Sequence, residues 1–317
     1  MIYDLTNSSM SSAVEYISEA LTNSDSVSFE VVDPDISHGS YSGSRLVIDT
    51  QSYIYHPLKA WVNLAELLHC RISVPTKIGA NSIAITYHKL DNSSSFHSDS
   101  SIDITEKYGA TSVFASIQKL EEPNFLLPYI ASLGAVNIDS RRAILNLGIN
   151  SGDEFVAISD MLDSDIVDEM SFVGVDHSSS ALTEAELKLE HLNCTLYCHD
   201  INDIDTLQIP KQDLIISVGT LQSPAIETKP LIMSLVQNYL TPNGAMILVF
   251  PNSRWIDGEL IYGAKAPNYS YSELSLVIKD IYWIKKYLQQ HKFRVTITGR
   301  EYLFLTATKI GSLTRNM

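Results

Sequence analysis

The chain has 317 residues, 45% of them hydrophobic and 19% charged, with a formal net charge of −15. That length can bury the core of one large α/β domain with an extension, or of two modest domains. Its apolar runs, such as Ala245–Pro251, fall well short of the roughly 20 residues a membrane span needs, and the acidic field repels phosphate backbones, so a membrane is excluded and nucleic acid is a disfavoured partner.

The first residues, Met1–Ser12, carry neither a basic leader nor an apolar core, and the three cysteines, Cys70, Cys194 and Cys198, are too few and odd in number for a disulfide framework. A cytoplasmic location is the expectation. Ser11–Leu21 has amphipathic helical spacing; Val27–Val32, Leu46–Ile48 and Ile83–Tyr87 are apolar, β-branched runs that predict strands; Leu58–Leu68 is helical and follows Pro57. These make a small α+β module, residues 1–92, which the Ser-rich loop Asn92–Ser101 closes. Substrate selection or dimerisation is the role expected of it, with a homodimer as the corresponding assembly.

Helices are expected at Ser112–Lys119 and Phe125–Leu133, separated by Pro123. From Ala143 the rhythm changes: the short apolar runs Ala143–Leu147, Phe172–Val175, Leu196–Cys198, Leu214–Val218 and Met246–Phe250 alternate with helix-length segments. That is the pattern of buried parallel strands with crossover helices. A helix over Ser272–Gln290 then leads to Phe293–Thr298 and Tyr302–Thr308, joined through Gly299-Arg300. Strands linked so tightly must pair antiparallel.

The first of these strands runs from Ile144 through Asn146 into Gly148-Ile149-Asn150-Ser151-Gly152-Asp153-Glu154. Gly148 allows a sharp exit from the strand, and Gly152 lets the backbone approach a ligand at a helix amino terminus, although such glycines also serve as plain turn residues. The second strand ends in Asp176-His177, a carboxylate able to accept from both hydroxyls of a ribose, and the third in Cys198-His199-Asp200-Ile201, an acid able to accept from an adenine amino group.

Over Ala143–Lys309 these residues resemble the class I, Rossmann-like methyltransferases that use S-adenosylmethionine. The resemblance implies a methyltransferase sheet with an antiparallel carboxyl-terminal hairpin, a catalytic domain over 93–317, and S-adenosylmethionine as cofactor. It places the cofactor contacts on Asn146, Gly148, Asn150, Gly152, Glu154, Asp176, His177, Asp200, Ile201 and, after the fourth strand, Ser217; Leu240-Thr241-Pro242-Asn243-Gly244 is similar to the family's turn before its fifth strand. Two positions depart from the family: Asn146 stands where an acid is common, and Asn150 where the middle glycine of the loop is common. These departures keep open a protein that binds S-adenosylmethionine, S-adenosylhomocysteine or a partner without turnover.

A dinucleotide oxidoreductase shares the glycine loop and the ribose acid, but Asp153 and Glu154 at the helix start would repel a pyrophosphate, and Gly148-x-x-x-Gly152 misses the G-x-G-x-x-G spacing. A sulfonium cofactor carries no phosphate. His191, Cys194, Cys198 and His199 offer ligand types that zinc accepts, yet they lack the paired spacing of a zinc site and read as packing residues, so no metal is expected. Arg254 and Trp255, which leave the fifth strand, and Tyr108, upstream of the core, are candidate substrate contacts. The acceptor expected is a small molecule. No Asn/Asp-Pro-Pro-aromatic motif is present and no side chain is marked as a general base, which leaves the catalytic residue open.

Overall fold

The computed structural model describes residues 2–37, 39–90, 109–110, 112, 115, 117–256, 259–262 and 275–311. It forms two units, one of Met1–Ser95 with Trp255–Leu260 and one of Phe96–Arg254 with Ile261–Met317.

In the first unit, strands β1 (Tyr3–Asp4), β2 (Ser26–Val32), β5 (Cys70–Ile72), β6 (Thr76–Lys77) and β7 (Ser82–Lys89) make a five-stranded sheet ordered β1-β2-β7-β5, with β6 also on β7. Helix α1 (Met10–Asn23) starts at Ser9, whose hydroxyl accepts from Ser12 N at 3.2 Å, and α2 (Leu58–Leu67) starts directly after Pro57. Ala13, Ile17 and Leu21 from α1 and Trp61, Leu64 and Ala65 from α2 bury against Phe29, Ile85 and Tyr87 of the sheet. A separate hairpin joins β3 (Ser44–Ile48) to β4 (Gln51–Tyr55) through Asp49 and Thr50, both at positive φ (48° and 71°), the geometry of a two-residue hairpin turn.

In the second unit, a seven-stranded sheet is ordered β10-β9-β8-β11-β12-β16-β15, from β8 (Ala143–Leu147), β9 (Ser171–Asp176), β10 (Cys194–Cys198), β11 (Gln212–Val218), β12 (Leu240–Pro251), β15 (Phe293–Gly299) and β16 (Tyr302–Lys309). The pairs β10–β9, β9–β8, β8–β11 and β11–β12 are parallel, whereas β16 runs antiparallel to both neighbours. Each expected strand is present, with the hairpin turning at Gly299 (φ 91°). The family-like turn is a bulge: Leu240 pairs with Gln212 and Ala245 with Leu214, so Thr241–Gly244 lie opposite Asp213 alone.

Alternation along each strand divides the core between two faces. Ile144, Phe172, Leu214, Ile216, Ile247 and Phe304 pack on one side under α3 (Pro123–Ala135), α4 (Asp153–Met161) and α6 (Ser179–Lys188). Leu145, Val175, Ile215, Met246, Leu248 and Leu305 pack on the other under α7 (Thr228–Ser234) and α8 (Ser275–Gln290). A short helix, α5 (Ser164–Val167), and a ribbon of β13 (Ser253–Ile256) with β14 (Glu259–Tyr262) complete the elements. Pro123 opens α3 at its first turn, where its missing N–H costs nothing, while the helix expected at Ser112–Lys119 is not formed at its described residues: Ile117 and Gln118 are irregular and Lys119 opens a short 3-10 turn, Lys119–Glu121.

At the amino ends of the strands Arg141 fastens the sheet. Its guanidinium donates to Val136 O (2.9 Å), Asp213 O (3.1 Å) and Asn243 O (2.9 Å), tying the entries to β8, β11 and β12 together. The carboxyl ends are thereby left as the variable rim.

Candidate functional site

Three residues of the loop from β8 to α4 take the left-handed backbone: Gly148 (φ 74°), Asn150 (φ 48°) and Gly152 (φ 89°). Asparagine is among the few residues with a side chain that visit this region readily, which accounts for Asn150 where a glycine is common. The loop folds over the tip of β9, with Gly148 N and Ile149 N donating to Val175 O at 2.8 and 3.3 Å.

Asp176 turns toward that bend. Its Oδ2 accepts from Asn150 N at 2.8 Å and its Oδ1 from Ser178 N at 3.0 Å, and the residue is only 6% exposed. A carboxylate offers about four acceptor positions, so these two bonds fix its direction and leave capacity for a diol. His177 Nδ1 lies 3.7 Å from Asp176 Oδ1, with its ring half open to solvent. Asp200, at the end of β10, is exposed and its Oδ1 accepts from Asn202 N (2.8 Å), while Ile201 is buried against the α7 face.

Glu154 is wholly buried. Its Oε1 accepts from Lys119 Nζ at 2.8 Å and its Oε2 from Asn146 Nδ2 at 3.1 Å. Tyr129 donates to the Glu154 backbone oxygen (3.2 Å), and burial, followed by the Glu154 charge, pushes its phenol well above the usual range, so it stays a neutral donor. The acid missing at Asn146 thus stands eight residues later, on the first turn of α4, with Asn146 touching it. Asp153 beside it is held by Lys188 Nζ (3.0 Å) and Ser151 Oγ (3.3 Å). Ser217 Oγ donates to Leu147 O at 3.0 Å, so its hydroxyl ties the ends of β11 and β8.

Sequence reading alone leaves Lys119 and Thr220 unnoticed. Lys119 ends a segment expected to be a helix and carries no assigned role there. Thr220, just past β11, rests on Gly148 so closely that an added Cβ there would lie 2.0 Å from its Oγ1. Arg254 and Trp255 fall on β13, two residues beyond the end of β12; Tyr108 lies outside the described residues. Burial pushes the Cys194 thiol up to about 11, away from the thiolate a metal would require, and no group of three or more His, Cys, Asp or Glu suited to a metal occurs among the described residues. No described helix is long and apolar enough to cross a membrane.

Residues 138–293 match the sequence model of a family described as "Methyltransferase domain". They form a class I methyltransferase domain. The order β10-β9-β8-β11-β12-β16-β15 with antiparallel β16 is the sheet of that family, whose cofactor is S-adenosylmethionine. No curated protein matches the chain in sequence. Similar solved structures include a SAM-dependent methyltransferase from Aquifex aeolicus (15% identity, 61% of this chain and 96% of that one, TM-score 0.42). The precorrin-6y C5,15-methyltransferase of Geobacter metallireducens is another (12%, 57% and 87%, 0.40). A third is the plantazolicin methyltransferase BpumL in complex with SAH (14%, 60% and 86%, 0.41).

Proposed function

We propose that the chain transfers the methyl group of S-adenosylmethionine to a small-molecule acceptor, with residues 93–317 as the catalytic domain and residues 1–92 as a substrate-selecting or dimerising module. The observation that carries this reading is Asp176. Pinned at the tip of β9 by Asn150 N and Ser178 N, it faces the glycine bend with acceptor capacity to spare. The cofactor supplies an electrophilic methyl carbon on a sulfonium. The chain's part is positioning, which can supply much of the acceleration of an in-line displacement. Asp176 would receive the ribose hydroxyls and Asp200 the adenine amino group. Glu154, paired with Lys119 and Asn146, braces the loop from beneath.

A second reading, binding without turnover, is favoured by one observation. Lys119 Nζ already sits on Glu154 and Thr220 on Gly148, so both sides of the bend have protein partners. Calorimetric titration with S-adenosylmethionine and S-adenosylhomocysteine, followed by methyl-label transfer into cell extract, separates the two. Binding with transfer supports the enzyme; binding without transfer supports the second reading; no binding of either nucleoside defeats both.

A further inference from the structure

Past the ends of β11 and β12, two buried amide oxygens, Gln222 Oε1 and Asn252 Oδ1, have no hydrogen-bond partner among the described residues. Their orientation is fixed by what the other end of each amide does. Gln222 Nε2 donates to Gly219 O at 2.8 Å and Asn252 Nδ2 to Arg300 O at 3.2 Å. A backbone carbonyl only accepts, so in each case the NH2 faces the backbone and the oxygen is the end left over. Burying such an oxygen unpaired is unfavourable, and native chains rarely do it without a use for it.

The two amides stand on adjacent strand tips. Gly219 follows β11, and a Cβ built on it would lie 3.4 Å from Pro251 Cγ and 3.9 Å from Gln222 Nε2. Asn252 comes directly after Pro251, the last residue of β12, and its N–H donates to Glu301 O at 2.7 Å. Thr220, between Gly219 and Gln222, is the residue seated on Gly148. Gln222 thus stands two residues beyond the contact with Gly148, and Asn252 follows the end of the neighbouring strand.

We propose that Gln222 and Asn252 form the acceptor subsite, and that the group they receive is an amine. This rests on the methyltransferase reading above and goes further by naming the substrate class. A carboxylate or phenolate would meet the two carbonyl oxygens lone pair against lone pair. A hydroxyl brings a single donor. An amine brings two N–H donors and keeps its lone pair for attack, and the net charge of −15 draws its protonated form in from solution. In the transfer, the ammonium form first loses one proton to solvent, and the nitrogen lone pair so freed forms the new N–C bond while the S–C bond of S-adenosylmethionine breaks and its electron pair returns to sulfur. The nitrogen then sheds one proton to solvent. The amide oxygens orient the N–H bonds and take no proton.

The test uses the full chain with methyl-labelled S-adenosylmethionine and desalted cell extract, with the labelled product characterised by mass spectrometry and isolated for kinetics. The expected product is N-methylated. Its unmethylated precursor should show a KM raised about tenfold in each of Gln222→Met and Asn252→Leu, as for one lost hydrogen bond at a site built for a donor, with cofactor affinity unchanged. Asn252→Leu also releases Arg300 O, and should it fail to fold, Gln222→Met carries the kinetic test alone, its fold checked by unchanged cofactor binding. An O-, S- or C-methyl product, or KM unchanged in every variant, overturns the proposal, as does cofactor binding with no label transferred. Failure of the cofactor to bind at all is a different result and removes the underlying reading instead.

Discussion

Asp176 holds the loop and, on the proposed reading, the ribose, and substitution can separate the two duties. Asp176→Asn keeps one carbonyl oxygen for a backbone N–H but loses the charge. Cofactor affinity should fall by about 1.5–3 kcal/mol, the range for a hydrogen bond to a charged group, with a smaller loss of stability. Calorimetry and thermal melting on the same sample check it, and unchanged affinity would remove Asp176 from the ribose role. Glu154 and Lys119 make a buried pair, so removing one partner strands the other. Glu154→Gln should destabilise the second unit by about 3 kcal/mol in urea denaturation, and the double variant Glu154→Gln with Lys119→Met by less than the sum of the singles. Sequence reading places Glu154 at a helix start and, through the family resemblance, among the cofactor contacts, but not in a pair with Lys119. That partner lies 35 residues away, and such a pairing exists only once the turn at Lys119–Glu121 has packed on α4.

The elements that sequence foretold are those long enough for a pattern to show. The runs that became β8, β9, β11 and β12 are mainly apolar because helices cover both faces, and β15 and β16 were fixed as antiparallel by the two residues between them. Strands β1 and β6 have two residues each and β5 three, too few for any period to show, and β4 reads Gln-Ser-Tyr-Ile-Tyr, polar at its start. The loop from β8 to α4 was legible as a turn, but its contact with the residues after β11 was not, since Gly148 and Thr220 meet only across two adjacent parallel strands. Gly148→Ala should therefore suffer twice, from a side chain at φ 74° and from collision with Thr220. Combining it with Thr220→Gly should recover only the collision part, leaving about 1–2 kcal/mol of backbone strain in the melting data.

At the scale of the whole molecule, the first unit carries a pH sensitivity that rests on two histidines. Burial lowers the pKa of both His56 and His69 from the ordinary 6.5. His56 accepts at Nδ1 from Ser42 Oγ (2.8 Å), and its Nε2 lies 3.4 Å from Ser8 O, an arrangement that suits the neutral ring. Unfolding releases these rings to bind protons. The unfolded state therefore holds more protons between the lowered values and 6.5, and stability, full above 6.5, is lost as pH falls below it. Urea denaturation followed at Trp61, which stacks edge-on against His56, should show a lower midpoint at pH 5.5 than at pH 8. His56→Gln should shrink that difference.

The position of β16 sets an order on assembly. Although last in sequence among the strands, it lies between β12 and β15 and pairs with both, so β15 cannot join the sheet ahead of it. A nascent chain that has emerged only as far as Gly299 holds a finished parallel half with the flank of β12 bare, and helix α8 has half its seat missing. Closure waits on the eight residues Tyr302–Lys309, and a stop codon placed just before Tyr302 would cost the molecule two strands where it deletes one.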